Sequence, residues 1–219
     1  KSVTLKPDFA EAYNNMGVTF KDQGKFDEAI DTYKKTISLK PGYAEAYDNM
    51  GVTFKNQGKL DKAIEAYNKS ILLKPDHAKA YYNMGNVLRD QLKLDEANEY
   101  YSKSILLKPN YADAYNNMGL VLHYQDKMEE AIQAYNKTLA LNPDYAEAHL
   151  NLSFALLNSG RLKEGLEESE WRWKTKKYFN KNRRFLKPMW DGTQSLKGKK
   201  ILVWGEQGVG DTLSWSSCL

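Results

Sequence analysis

A spacing of 34 residues governs this sequence. Pro7, Pro41, Pro75, Pro109 and Pro143 stand 34 apart, and Tyr13, Gly17 and Ala29 each recur in the same register as Tyr47, Gly51 and Ala63, Tyr81, Gly85 and Ala97, then Tyr115, Gly119 and Ala131. A fixed period of this length excludes one closed globule. It demands a stack of like units, each burying its apolar face against its neighbours.

The interior of one period reads as two helices. Pro7 suits the first turn of a helix, where a missing N–H costs nothing, and Asp8 suits the positive end of the helix dipole. Gly17 removes a side chain where a partner helix must come close. Gly24 and Gly58 suit the turn between helices, whereas Leu92 and Asp126 occupy that place in later units and predict turns made differently. Asp27, Asp61 and Asp95 open the second helices with the favourable dipole sign. The pattern predicts helices over 8–22, 26–39, 42–56, 60–73, 76–90, 94–107, 110–124, 128–141 and 144–158.

The aromatic, the Gly four residues on, the small–aromatic–small set and the closing Pro resemble the tetratricopeptide repeat family, with Met16, Met50, Met84 and Met118 in place of the family's Leu. The resemblance implies an all-α fold, a right-handed solenoid of antiparallel helix pairs. Five units are expected, at 10–43, 44–77, 78–111, 112–145 and 146–179, after the end of a preceding repeat at 1–9. Lys1–Pro7 reads KSVTLKP, close to KSILLKP at 69–75 and 103–109, so earlier repeats are expected upstream, and an uncapped end is able to stack on another copy. The fifth unit drifts: His149 replaces Tyr, Ser153 replaces Gly, Gly165 replaces Ala and Ser169 replaces the second Tyr. A drifting last unit is the mark of a cap, and its second helix is expected to run on beyond the length of the others.

No apolar run reaches the roughly 18–20 residues that span a bilayer, and no signal peptide opens the chain. Cys218 is the only cysteine, so no internal disulfide framework exists and the cytoplasm is the expected compartment. Residues 1–160 carry 19 Lys/Arg against 21 Asp/Glu, while residues 161–200 carry 13 against 5. The basic surplus lies in WRWKTKKYFNKNRRF (171–185), read as a capping helix whose aromatics dock and whose cations stay wet, so nucleic acid and membrane are not the expected partners.

Asn15, Asn49, Asn83, Asn117 and Asn151 recur at one position of successive first helices. Asn is a mediocre helix former, so its recurrence serves either packing or binding. The column resembles that of the O-linked N-acetylglucosamine transferases, which implies a ladder along a concave groove that holds the backbone of an extended peptide or partner protein. An amide suits that role because it donates and accepts at once. The alternative is that each Asn bonds the backbone of a neighbouring repeat. Five such bonds at roughly 1 kcal/mol give about 5 kcal/mol, against association costs of about 4–15 kcal/mol. Anchors must supply the rest, and Tyr82, Arg89, His123, Tyr124 and Phe154 are the candidates. A clamp for a terminal carboxylate is not expected, since Asn14 and Asn83 stand where such a site needs cations, although Lys79 fits it.

Residues 180–198 read as a linker, and 199–219 as the opening strand and loop of an α/β domain. The run WDGTQSLKGKKILVWGEQGVGDT resembles the start of a glycosyltransferase domain related to the heptosyltransferases. That likeness implies Asp211 as a base, with Gly208, Gly210 and Thr212 in a phosphate or nucleotide loop; Asp211 as a plain helix N-cap is the competing reading. Without a second lobe the chain alone is read as a binding module and not an enzyme, and a nucleotide sugar belongs only to an intact parent. His77, His123 and His149 stand singly without ligand spacing, so neither a metal nor any cofactor is expected.

Overall fold

The computed structural model describes residues 10–175, and these form ten α-helices closed by a short 3-10 turn. The first helices of the five units are α1 (Ala10–Asp22), α3 (Ala44–Asn56), α5 (Ala78–Asp90), α7 (Ala112–Tyr124) and α9 (Ala146–Asn158). The second helices are α2 (Phe26–Leu39), α4 (Leu60–Leu73), α6 (Leu94–Leu107), α8 (Met128–Leu141) and α10 (Leu162–Ser169), followed by the 3-10 turn Glu170–Lys174. The described residues bear out the all-α solenoid; the linker and the α/β fragment at 199–219 lie outside them.

The first helices of the second to fifth units start two residues later than the sequence predicts. The amide of Tyr43 donates to Lys40 O at 3.0 Å, which makes Lys40–Tyr43 a reverse turn with Pro41 inside it. Proline suits the second position of such a turn as well as it suits a helix start, because both need the same φ. The turn recurs where His77, Tyr111 and Tyr145 donate to Lys74, Lys108 and Asn142.

Within each regular unit the two helices come closest where a glycine of the first faces a tyrosine of the second. A Cβ built on Gly51 would lie 2.6 Å from Tyr67 Cε1, and one on Gly17 would lie 2.6 Å from Tyr33 Cε1. Gly85 and Gly119 meet Tyr101 and Tyr135 in the same way, at 2.7 Å. These four rings are fully buried, so they have no room to move aside. Ala29, Ala63, Ala97 and Ala131 are likewise fully buried, and Met84, Val87 and Val121 join them to make a core that runs on from unit to unit as a seam.

The fifth unit keeps the close approach by exchanging its partners. Ser153 replaces the glycine and donates from Oγ to Gly165 O at 2.7 Å, while a Cβ on Gly165 would meet Leu157 Cγ at 2.7 Å. Its α-helix does not run on as expected: α10 stops after 8 residues and tightens into the 3-10 turn. That turn brings Trp171 flat onto His149, with ring centres 3.7 Å apart and planes 7° apart, and Lys174 Nζ lies 3.6 Å above the Trp171 ring. His149 also bonds Pro143 O through Nε2 at 2.8 Å and Glu168 through Nδ1. This packed imidazole is what replaces the tyrosine of earlier units.

Neighbouring units touch unequally. Each first helix contacts the first helix of the next unit, whereas no described second helix contacts the next second helix. A stack with its first helices closer together curves toward them. The inner surface is therefore made of α1, α3, α5, α7 and α9.

All five turns between paired helices use one left-handed residue: Gly24, Gly58 and Gly160 at φ of 75°, 74° and 80°, but Leu92 and Asp126 at φ of 61° and 62°. The sequence expectation of a different turn in units three and four fails, because the packing of the helices imposes the conformation whatever residue stands there. A leucine in that region is strained by about 1–2 kcal/mol, and glycine returns about 0.5–1 kcal/mol of that as chain entropy. Leu92 is 79% exposed, so it holds nothing in the core. Leu92→Gly is predicted to raise stability by about 0.5–1 kcal/mol, read as a higher urea midpoint.

Candidate functional site: the inner face of the first helices

The asparagine column lies where first helices of adjacent units meet. Asn49 Nδ2 donates to Asn14 Oδ1 at 3.1 Å, Asn83 Nδ2 to Asp48 Oδ1 at 2.8 Å, and Asn151 Nδ2 to Asn116 Oδ1 at 3.2 Å. Each bond spans 35 residues, one period plus one. The column is a ladder in which every rung ties a unit to the one before it. Its partners are side chains of the preceding residue position, not the backbone of a neighbouring repeat.

Two rungs differ from the rest. Asp48 is 1% exposed and a carboxylate only accepts, so it fixes the Asn83 amide with nitrogen inward. Lys79 Nζ stands 3.4 Å from the other Asp48 oxygen, which gives the buried charge a partner. Lys79, the one position that fits a carboxylate clamp, is therefore engaged with Asp48. At the next rung Asn117 Nδ2 donates to Tyr82 Oη at 3.1 Å and to Asn86 Oδ1 at 2.8 Å, and its Oδ1 accepts from Asn116 at 3.3 Å. Both N–H groups of Asn117 and one of its lone pairs are used. Asn49, Asn83 and Asn151 each keep one N–H and the carbonyl oxygen for other partners. Asn15 is exposed.

The aromatic candidates divide into two kinds. Tyr82 is part of a packed cluster, its ring 4.9 Å from Tyr111 and 6.1 Å from Tyr101, while Tyr101 Oη donates to Asn86 Oδ1 at 2.8 Å. Burial pushes the Tyr82 and Tyr111 phenols up from their ordinary value, so both remain O–H groups. Burial, with Asp113 beside it, does the same to Tyr145, whose Oη donates to Asp113 at 2.8 Å. Tyr124 and Phe154 are different: they are 65% and 47% exposed on α7 and α9. Large apolar side chains held open on a face otherwise tied by hydrogen bonds form an apolar end to the inner surface.

The charged candidates are paired. Arg89 Nη2 holds Asp90 at 2.9 Å, and Lys55 reaches the other Asp90 oxygen at 3.1 Å from the preceding unit. Burial alone would raise the Asp90 pKa, but bonds from Arg89 and Lys55 outweigh it and hold the carboxyl below its usual range. His123 Nε2 and Asn158 Nδ2 are 2.9 Å apart, again across one period plus one. The structure thus brings Asn83, Asn117, Tyr82 and Arg89 into one stretch of the inner face, and His123, Tyr124 and Phe154 into the next.

Sequence reading missed Asp48, Asn86 and Tyr111 as parts of this surface. The signal was present: Asn14, Asp48, Tyr82 and Asn116 form a polar column one residue before the asparagines. Asp211, Gly208, Gly210 and Thr212 lie outside the described residues. Among the described residues no group of three or more His, Cys, Asp or Glu is placed to hold a metal, and no helix is long and apolar enough to cross a membrane.

A tetratricopeptide repeat model matches residues 10–43 and 112–145, a second matches 32–65 and 134–167, and a TPR repeat model matches 54–91 and 85–126. Together these matches run from 10 to 167 without a gap. No curated protein matches the chain. Among solved structures, MamA is 28% identical with a TM-score of 0.65, over 82% of this chain and 98% of that one. The pilF protein of Pseudomonas aeruginosa is 22% identical with a TM-score of 0.71, over 75% of each chain. YrrB, described as a TPR protein with an unusual peptide-binding site, is 19% identical with a TM-score of 0.62, over 80% of this chain and 90% of that one.

The unequal use of the rungs gives an ordered expectation. Asn117→Ala removes three hydrogen bonds and is predicted to cost about 2–3 kcal/mol, whereas Asn151→Ala removes one and costs about 1 kcal/mol. Urea unfolding of the two variants checks the order.

Proposed function

The chain belongs to the tetratricopeptide repeat family, and from that premise we propose that it is an interaction scaffold that holds an extended peptide segment of a partner protein along the inner face of its first helices. The observation that carries the reading is the combination on one face of an amide ladder and two open aromatic side chains, Tyr124 and Phe154. The spare N–H and carbonyl of Asn49, Asn83 and Asn151 suit peptide backbone, which offers donors and acceptors alike whatever its side chains. The aromatic end supplies the apolar burial that the amides cannot.

The peptide-binding site described for YrrB supports the same reading by analogy of fold. The likeness to a heptosyltransferase-like catalytic domain rests on residues outside the described ones. An acceptor-presenting role would use this same inner face, with the bound segment as the acceptor.

A selection from a random peptide library on the immobilised protein, followed by titration of the recovered peptides, tests the proposal. Replacing both aromatics, Tyr124→Ala with Phe154→Ala, is predicted to weaken those peptides by tenfold or more at unchanged helicity, since each anchor contributes about 1–2 kcal/mol. Peptides that bind the double variant undiminished would contradict it.

A further inference from the structure

We propose that the cleft between the two helices of the second unit docks an aromatic side chain flanked by acidic residues, carried by a partner protein. The cleft has a volume of about 350 Å³ and lies between α3 and α4, floored by Tyr47, Met50, Phe54 and Ala66. None of its residues belongs to the asparagine column or is one of the open aromatics Tyr124 and Phe154, so this is a second surface distinct from the groove.

The repeat itself shows what fits there. One period further on, Tyr100 stands at the position of Ala66, and its ring packs against Tyr81 with centres 6.0 Å apart. Lys103 Nζ lies 5.4 Å from the centre of that ring. The third unit thus carries its own phenol in the place that the second leaves open, against the equivalent tyrosine and beneath the equivalent lysine. Tyr47 and Lys69 stand where Tyr81 and Lys103 do, and Ala66 leaves the ring's place to a side chain from outside.

Charge separates the second unit from the others. Its rim carries Lys62, where Glu28, Glu96 and Glu130 stand in the first, third and fourth units. Lys62 Nζ lies 6.0 Å from the Phe54 ring centre, so the cation sits at the mouth of the cleft. Lys62 and Lys69 are exposed, against a single acid, Glu65, between them. The fourth unit also has alanine, Ala134, at the floor but keeps Glu130 at the rim. The second unit alone among these four pairs a small floor residue with two rim cations. An aromatic ring between carboxylates complements that combination in shape, in cation–π attraction and in charge.

The test uses the whole chain labelled with ¹³C-methyl methionine, and follows the Met50 methyl resonance during titration. The probes are the blocked tripeptides acetyl-Glu-Tyr-Glu-amide, acetyl-Glu-Ala-Glu-amide and acetyl-Lys-Tyr-Lys-amide. The proposal expects a saturable Met50 shift with the first, and binding about tenfold weaker for the second, which lacks the ring. Ala66→Tyr fills the cleft as the third unit does and is expected to abolish the shift with the circular dichroism unchanged. Lys62→Glu restores the rim of the other units and is expected to weaken the acidic probe about fivefold while improving the basic one. Equal binding of the Tyr and Ala probes, or a Lys62→Glu protein that binds the acidic probe like the parent, overturns the proposal. Those two arms decide the matter even if Ala66→Tyr fails to fold. Because Tyr124 and Phe154 lie elsewhere, their double variant is expected to leave the Met50 shift intact, so this site and the inner groove stand or fall separately.

Discussion

Every regular unit closes on a tyrosine ring of the second helix lying where the first helix carries no side chain. Gly17, Gly51, Gly85 and Gly119 each leave less than 3 Å between a would-be Cβ and the ring beneath it. Interiors are packed to crystal density, so such a gap admits no methyl without moving a buried ring. The pairing sets the distance between the two helices. That distance sets the left-handed turn, which is why Leu92 and Asp126 adopt it without being glycine. It also leaves the side of the first helices turned away from their partners free to meet the next unit.

That inner face does two tasks with the same residues. The asparagine column joins units through side-chain bonds, and the surface that it forms is also the one proposed to receive a partner. The two uses compete for valences rather than for space. Asn117 is spent on Tyr82, Asn86 and Asn116, so the middle of the face is held rigid. Asn49, Asn83 and Asn151 hold their neighbours with one N–H and keep the rest. A ladder of this kind comes prearranged, which lowers the ordering cost of binding an extended segment.

The repeat architecture was legible in the sequence because a 34-residue period leaves few alternatives: the recurrence of Gly17 and Ala29 in register marks places of close helix approach, while the ring that Gly17 meets, Tyr33, is visible only in the structure. The start of the first helices of the second to fifth units was misplaced by two residues because Pro41 fits a helix start and a reverse turn equally well. The turns at Leu92 and Asp126 were not legible, because glycine is the residue that favours the left-handed conformation, whereas here helix packing imposes it. The asparagine column was legible as a column, but not what each member does. The saturation of Asn117 depends on Tyr82 and Asn86, 35 and 31 residues away, and no local pattern reports such partners. The cleft at Ala66 appears only when the volume of Tyr100 in the next unit is set beside it.

The most direct measurement is the side-chain carboxamide spectrum of ¹⁵N-labelled protein, with and without a selected peptide. Binding along the inner face predicts shifts in the Asn49, Asn83 and Asn151 carboxamide signals, with that of Asn117 holding its place because its hydrogens are already engaged. Peptide binding that leaves all of these signals unmoved and instead shifts the backbone amides of α2, α4, α6 and α8 would contradict the account.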